Sequence, residues 1–473
     1  MQRKIIWLVL CLSVLRITYV SGQDNNAHMN FALRSQVNQS DANALLTLYV
    51  RGNDAEIKRF TEEHHGMTLQ YPHWIKVTLP ARHIAKFCSQ PFVSSVHFDL
   101  QHARPLNDSM LSNNNVLPVI KQDSGLLEAY DGSGVIIGFI DTGIDFLHPD
   151  FQDSLGNTRV LKIWDQAQDT LVSLRIPVYG YGQVWDSTDI NAGNCTHDDD
   201  IFSHGTNVTG VASSNGLATG QYRGVAPASH IIAVASDFSS ANWLSTVADA
   251  VEWIFLQADA YGMPCVINIS AGDYLGAHDA LDPVAQAIDS MVNAKPGRVI
   301  SCAAGNAGNS YHHLGYDVTS DTNFTWFEYN GSSALGYGSV FFRVWADTAD
   351  FNQVQFAVGA DKTIGGYAFR GHTPFDNITN RLNTLVSDTL KSFSGNVIGV
   401  VDTYAEESDG RYFLEIHMAQ PDSNQYAFRF MTTGFGHFDV WSAKWLGISD
   451  MVKSGLPTMA QFPDIAHYKA PDT

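Results

Sequence analysis

A chain of 473 residues with 45% hydrophobic and 11% aromatic content has room for about two to four domains. It is too apolar to be disordered throughout. Twenty-eight basic against 48 acidic residues give a net charge of −20, which argues against nucleic acid as a partner. No run of about 18 uncharged apolar residues occurs, so no membrane span is expected.

Arg3 and Lys4 precede the apolar run Ile5 to Leu15, and Val20-Ser21-Gly22 follows with small residues. Residues 1–22 therefore read as a secretory signal, and the expected location is extracellular or periplasmic. Cys88, Cys195, Cys265 and Cys302 remain after it, at spacings that match no zinc pattern. Cys265 and Cys302 fall in or beside apolar strands and read as small core residues.

Residues 43–99 alternate strand and helix patterns. Leu45 to Val50, Trp74 to Leu79 and Val93 to Phe98 read as strands, with helices over Asp54 to His65 and Arg82 to Cys88. This predicts a small α+β unit of ferredoxin-like size. Residues 100–117 read as a linker, exposed where Asn and Ser cluster from Asn107 to Asn115.

Over 118–310 the pattern becomes α/β. Val135 to Ile140, Ile231 to Ala235, Cys265 to Ile269 and Val299 to Cys302 are continuous apolar runs, as expected of parallel strands covered on both faces. Leu244 to Tyr261 and Pro283 to Ala294 have helical spacing between them. The expectation is a doubly wound parallel sheet. Over 311–446 short aromatic and β-branched runs such as Ser339 to Trp345 and Tyr426 to Met431 alternate with Gly, Asn and Asp clusters. These predict an all-β sandwich or jelly roll that interrupts the α/β domain. Residues 447–473 read as a return into that domain, stopping part-way.

Three segments carry chemistry. Asp141, in Asp-Thr-Gly, ends an apolar strand, where catalytic groups of α/β sheets collect. It either holds a histidine's tautomer or caps the turn at Gly143. His204 opens His-Gly-Thr-Asn, whose small residues let a helix begin against the sheet. Asn306 follows Ala-Ala-Gly at another strand end and either donates to an oxyanion or fills a turn between Gly305 and Gly308. Asp, then His, then Ser is one of the chain orders in which a serine triad occurs.

With these motifs the chain resembles the subtilisin-like serine proteases, or subtilases. Gly224 to Pro227 is similar to the family's Gly-Val-Ala-Pro step. Ser270-Ala271-Gly272 resembles the strand that pairs with a polypeptide substrate, and Gly305 would lie beside it. The α+β unit resembles the subtilase propeptide, which implies an intramolecular inhibitor. The β region is similar to the jelly-roll insertions of some subtilases. The resemblance implies that Asp141 orients His204, that His204 takes the proton of a serine, and that Asn306 stabilises the oxyanion.

The chain departs from the family in three places. Asn207 stands where a second histidine is usual in the His204 motif. His204 lies 63 positions after Asp141 (204 minus 141), which implies an insertion between Arg159 and Phe202. Its Cys195-Thr196-His197-Asp198-Asp199-Asp200 string reads as a solvated acidic loop, with Ca²⁺ held through its carboxylates as the alternative. No other cofactor is implied. The third departure is the nucleophile. The nearest string to the family's Gly-Thr-Ser-Met-Ala is Gly455 to Pro463, which lacks the serine.

Two readings follow. In the first, this is a secreted endopeptidase precursor whose serine lies beyond these residues, so residues 1–473 alone are nearly inactive. In the second, a protease-derived scaffold without catalysis binds peptide or glycan through its β insert.

Overall fold

The computed structural model describes residues 28–98, 104–105, 116–120, 122, 125–168, 177–199, 203–220, 222–452 and 468–471. The signal-like segment 1–22, the stretch 107–115 and the string 455–463 lie outside the described residues.

The first unit holds helix α1 (Phe31–Gln39), strand β1 (Leu45–Gly52), helix α2 (Asp54–Glu63) and strand β2 (Met67–Gln70). Strand β3 (Ile75–Pro80), helix α3 (Ala81–Cys88) and strand β4 (Val93–His97) follow. The antiparallel sheet runs β2-β3-β1-β4. α3 buries Ala81, Ile84, Phe87 and Cys88 along one stripe, as helical periodicity requires. α2 starts at Asn53, whose side chain accepts the Glu56 N–H. The expected elements of this unit are present, and α1 and β2 are additions. β2 is an edge strand that leaves Met67 and Leu69 exposed, so its sequence has no buried face to announce it.

In the second unit the short strand β5 (Arg104–Pro105) and helix α4 (Val116–Ile120) lead to β6 (Ile136–Asp141). Then come β7 (Val160–Asp165), β8 (Gln183–Asp186), α5 (Ser187–Asn191), α6 (His204–Ser213) and β9 (His230–Ala235). α7 (Trp243–Tyr261), β10 (Cys265–Ile269), β11 (Ala271–Gly272), α8 (Pro283–Asn293) and β12 (Arg298–Cys302) complete it. The main sheet runs β12-β10-β6-β9-β7-β8, with β8 alone antiparallel to its neighbour.

Side chains alternate between its faces. Phe139, Ile231, Ala233 and Ile163 pack with Val208 of α6 on one side. Ile140, Ile232, Val234 and Trp164 pack under α7 on the other. This is the two-sided α/β sheet that the apolar runs predict. β7, β8 and α5 lie within the long separation of Asp141 from His204, and the two strands widen the sheet. Cys265 is buried as expected, but Cys302 is exposed, because β12 is the sheet's edge and Val299 beside it is 51% exposed.

Eleven antiparallel strands form the third unit as two sheets. The first contains β13 (His313–Val318), β15 (Val340–Asp347), β19 (Val386–Lys391), β20 (Val397–Ser408), β21 (Arg411–Met418) and β23 (Gly436–Trp441). The second contains β14 (Asn323–Glu328), β16 (Val354–Lys362), β17 (Ala368–His372), β18 (Asp376–Asn377) and β22 (Ala427–Gly434). Phe342 and Leu414 of one sheet share a core with Phe327 and Phe430 of the other, which makes a sandwich. Of the expected return into the α/β domain, residues 453–467 lie outside the described residues. Tyr468 instead stacks on Trp326 of the sandwich at 4.7 Å, and the Lys469 N–H donates to the Phe324 carbonyl.

The first unit sits between the other two. Tyr49, Tyr71 and Trp74 pack on Ala248 of α7 and on Val284 and Ala287 of α8. Lys76 Nζ donates to both oxygens of Asp249 at 2.6 Å, with the two side chains 8% and 1% exposed. On the other side Phe31, Ala32 and Leu33 of α1 join Phe341, Tyr404 and Leu446 in one apolar cluster. Breaking a buried ion pair by removing one partner costs about 3–5 kcal/mol, whereas an apolar pair of similar volume is tolerated. Lys76→Met should therefore lower the unfolding free energy by about 3–5 kcal/mol in urea titrations. Lys76→Met/Asp249→Leu should recover most of that loss, and a double variant no better than the single one would refute this account of the interface.

Candidate active site

Asp141 is the last residue of β6, 1% exposed, and stands between β9 and β10 at the C-terminal end of the parallel sheet. α6 begins at His204 after Ser203, which has φ +47 and no side-chain cap. The cap comes from upstream. Asp199 Oδ2 accepts the Thr206 N–H at 2.9 Å and its hydroxyl at 2.5 Å. Asp199 Oδ1 takes the Thr142 hydroxyl at 2.7 Å, and Thr142 Oγ1 in turn accepts the Gly205 N–H at 2.8 Å. At the far end of α6, the Gly224, Val225 and Ala226 N–H groups donate to the carbonyls of Ser214, Val211 and Ala212. The Gly-Val-Ala-Pro step thus satisfies helix-end carbonyls that would otherwise be orphaned.

This arrangement puts His204 Nδ1 2.7 Å from Asp141 Oδ1. The Nδ1–H donates to the carboxylate, and Nε2 is left as the ring's basic nitrogen. Asp141 Oδ1 also accepts the Thr142 N–H at 2.7 Å, while Oδ2 is buried without a hydrogen-bond partner. The two glycines of the motifs are steric necessities. A Cβ on Gly205 would stand 2.2 Å from the Gly143 carbonyl oxygen, and one on Gly143 would stand 2.4 Å from His197 Nε2.

Asn306 lies beyond the end of β12, exposed, and Gly305 before it has φ +102. The Tyr274 hydroxyl accepts the Ala307 N–H at 2.9 Å and fills the space next to Gly305. Ser270 follows β10, with its Oγ bonded to Asn268 Nδ2 at 2.9 Å, and Ala271-Gly272 form β11. β11 is not idle. It pairs antiparallel with β5 of the same chain, Ala271 opposite Pro105 and Gly272 opposite Arg104. Asp141 thus ends, and Ser270 and Asn306 follow, three adjacent strands at the same end of the sheet, where α/β proteins bind ligands.

The described part of the string, Cys195 to Asp199, departs from the solvated-loop expectation. His197 and Asp199 are 5% and 7% exposed, so this is no solvated loop, and the Asp199 oxygens are already engaged. Among the described residues no group of three His, Cys, Asp or Glu side chains is placed to hold a metal ion. His197, Asp199 and Asp165 are site residues that the sequence reading missed, as is Tyr274. The acidic string drew attention, but nothing in it says which carboxylate turns inward.

The subtilase family model matches residues 132–340. This chain therefore contains a subtilase-like segment, which takes up less than half of its length. A subtilisin from Bacillus sp. (strain TA39) is 27% identical over 202 residues, 42% of this chain and 40% of that protein. The serine protease AprX of Bacillus subtilis (strain 168) is 30% identical over 183 residues, 37% of this chain and 34% of that one. The matched stretch thus spans two fifths or less of these relatives' own length. Among solved structures, the Clostridium perfringens CspB protease is similar in fold, with TM-score 0.54 and 20% identity. That likeness covers 69% of this chain and 65% of that one.

Burial raises the Asp141 carboxyl above its ordinary value, against the opposing hydrogen bonds from His204 and Thr142. A raised folded pKa contributes stability below the unfolded value and loses it as pH rises through the folded value. At neutral pH the buried charge therefore works against the fold. Asp141→Asn should raise unfolding stability at pH 7 by roughly 0.5–2 kcal/mol. Denaturation at descending pH should show that gain shrinking toward zero below the ordinary carboxylate pKa of about 3.9. A gain that grows on acidification would contradict this.

Proposed function

We propose that this chain is a secreted serine endopeptidase precursor of the subtilase type, in which Asp141 orients His204 and His204 takes a proton from a serine outside residues 1–473. Asn306 donates to the oxyanion, and an extended polypeptide pairs along Ser270, Ala271 and Gly272 beside Gly305. The observation that carries this reading is the antiparallel pairing of Arg104-Pro105 on Ala271-Gly272. A segment following the α+β unit lies along the strand that a substrate would use, next to an Asp–His pair at hydrogen-bond distance. Main-chain pairing of this kind is how extended peptides add to a sheet edge.

The α+β unit (43–99) is then the propeptide, an inhibitor in cis, and the β-sandwich (311–446) is an insertion in the protease domain. The chemistry needs acid–base and nucleophilic groups and calls for no cofactor. The exposed Val299 and Cys302 on edge strand β12 support a further segment beside Asn306, and that is where the serine is assigned.

The test compares residues 1–473 with a longer product carrying a Gly-Thr-Ser segment. The longer product should hydrolyse an unstructured peptide and label with a fluorophosphonate, and residues 1–473 alone should do neither. His204→Ala in the longer product should lower kcat by about 10⁶. Rapid hydrolysis by residues 1–473, or unchanged activity of His204→Ala, would overturn the reading.

A further inference from the structure

His197 makes two directional contacts that run in series. Its Nε2 lies 3.1 Å from the Ile144 backbone nitrogen, which can only donate. The ring must therefore accept there, so its single proton sits on Nδ1. Nδ1–H donates to Asp165 Oδ2 at 2.7 Å. Asp165 is itself fixed, because its Oδ1 accepts the N–H groups of Ala167 and Gln168 at 3.1 and 3.2 Å. Asp165 ends β7, two strands away from β6 in the same sheet. A rigid path thus leads from the end of β7 through Asp165 and His197 to the backbone three residues after Asp141.

We propose that His197 is a positioning residue, whose Nε2 holds the Ile144 N–H and so fixes the 141–144 loop with Asp141 aimed at His204 Nδ1. The steric setting agrees with the polar one. The ring side chain is wholly buried and lies so close to Gly143 that a Cβ there would strike Nε2 at 2.4 Å. Asp199 also holds this loop, through Thr142, and ties it to Thr206 of α6. Without the His197 contact the Ile144 N–H is left buried and unpaired, and the loop must shift to satisfy it. The inference rests on Asp141 and His204 being the catalytic pair. Its test reads the hydrogen bond between them, so it can fail whether or not the protein hydrolyses anything.

The experiment is NMR on residues 1–473, following the low-field proton shared by His204 Nδ1 and Asp141, assigned by its loss in His204→Gln. His197→Gln places an amide oxygen near the Nε2 position, and His197→Asn places an amide only near the Nδ1 position. His197→Gln should keep the low-field resonance. His197→Asn should lose it or move it upfield, with Ile144 amide exchange faster by roughly tenfold. A resonance unchanged in His197→Asn would overturn the proposal. So would its equal loss in both variants, which would mean that a buried ring is needed there and not the Nε2 acceptor. If His197→Asn does not fold, Gly143→Ala displaces the same ring with His197 intact. An unchanged resonance in that variant would also overturn the proposal.

Discussion

Two backbones must meet at less than a side chain's width for His204 to reach Asp141. The Gly143 carbonyl lies where a Cβ of residue 205 would be, and the His197 ring lies where a Cβ of residue 143 would be, so neither motif tolerates a larger residue at its glycine. Contact this close leaves polar backbone groups facing each other with no room for water. Thr142 and Asp199 resolve that by hydrogen bonding across the gap to Gly205 and Thr206. Orphaned donors at such a site would cost about 1–3 kcal/mol each. The sheet beneath serves the same end. β6 is central, and the apolar faces packed under α6 and α7 keep its last residue from moving.

The α+β unit is specified from both sides by groups that cannot be left alone. Toward the parallel sheet it supplies Lys76 to the buried Asp249, which also accepts the Tyr181 hydroxyl at 2.9 Å. Toward the sandwich, the Phe31 N–H donates to Glu415, a carboxylate that also accepts from the buried Arg343 at 3.1 Å. Buried ion pairs are weak evidence for net stability. Their strength lies in direction, since a slipped unit would deprive Asp249 of its cation and Glu415 of the Phe31 N–H. The apolar cluster around Phe31, Phe341 and Leu446 provides the adhesive area.

Much of this was legible in the residues. The continuous run Ile136 to Ile140 reads as a buried parallel strand because both of its faces are covered, and the Asp at its end marks the binding edge. Asp141 and His204 were legible through motifs whose glycines each have a steric cause. What stayed hidden depends on partners far along the chain. α1 has little polar-apolar contrast of its own and is held by Leu335 and Glu415, about three hundred positions away or more. His197 and Asp199 sit in a string that looks acidic and exposed, and only the fold turns alternate members inward. Cys302 misleads in the opposite sense. Its apolar strand looks like core, yet edge position leaves it open.

Chain direction adds a last step. Arg104 lies opposite Gly272 and Pro105 opposite Ala271, so the chain advances along β11 toward Ser270. Ser270 follows β10, whose Ile269 is in register with Ile140 of β6. The chain direction at Arg104-Pro105 is therefore toward the sheet end that carries Asp141 and His204. Under the proposed function a substrate would pair on β11 where β5 lies, so the two would compete for one strand. Tethering explains why so short a pairing holds. The α+β unit, together with α1 before it, is already docked through Trp74, Lys76 and Phe31, so β5 meets β11 at a high effective concentration. Cutting the tether would change that concentration without altering a single contact along β11.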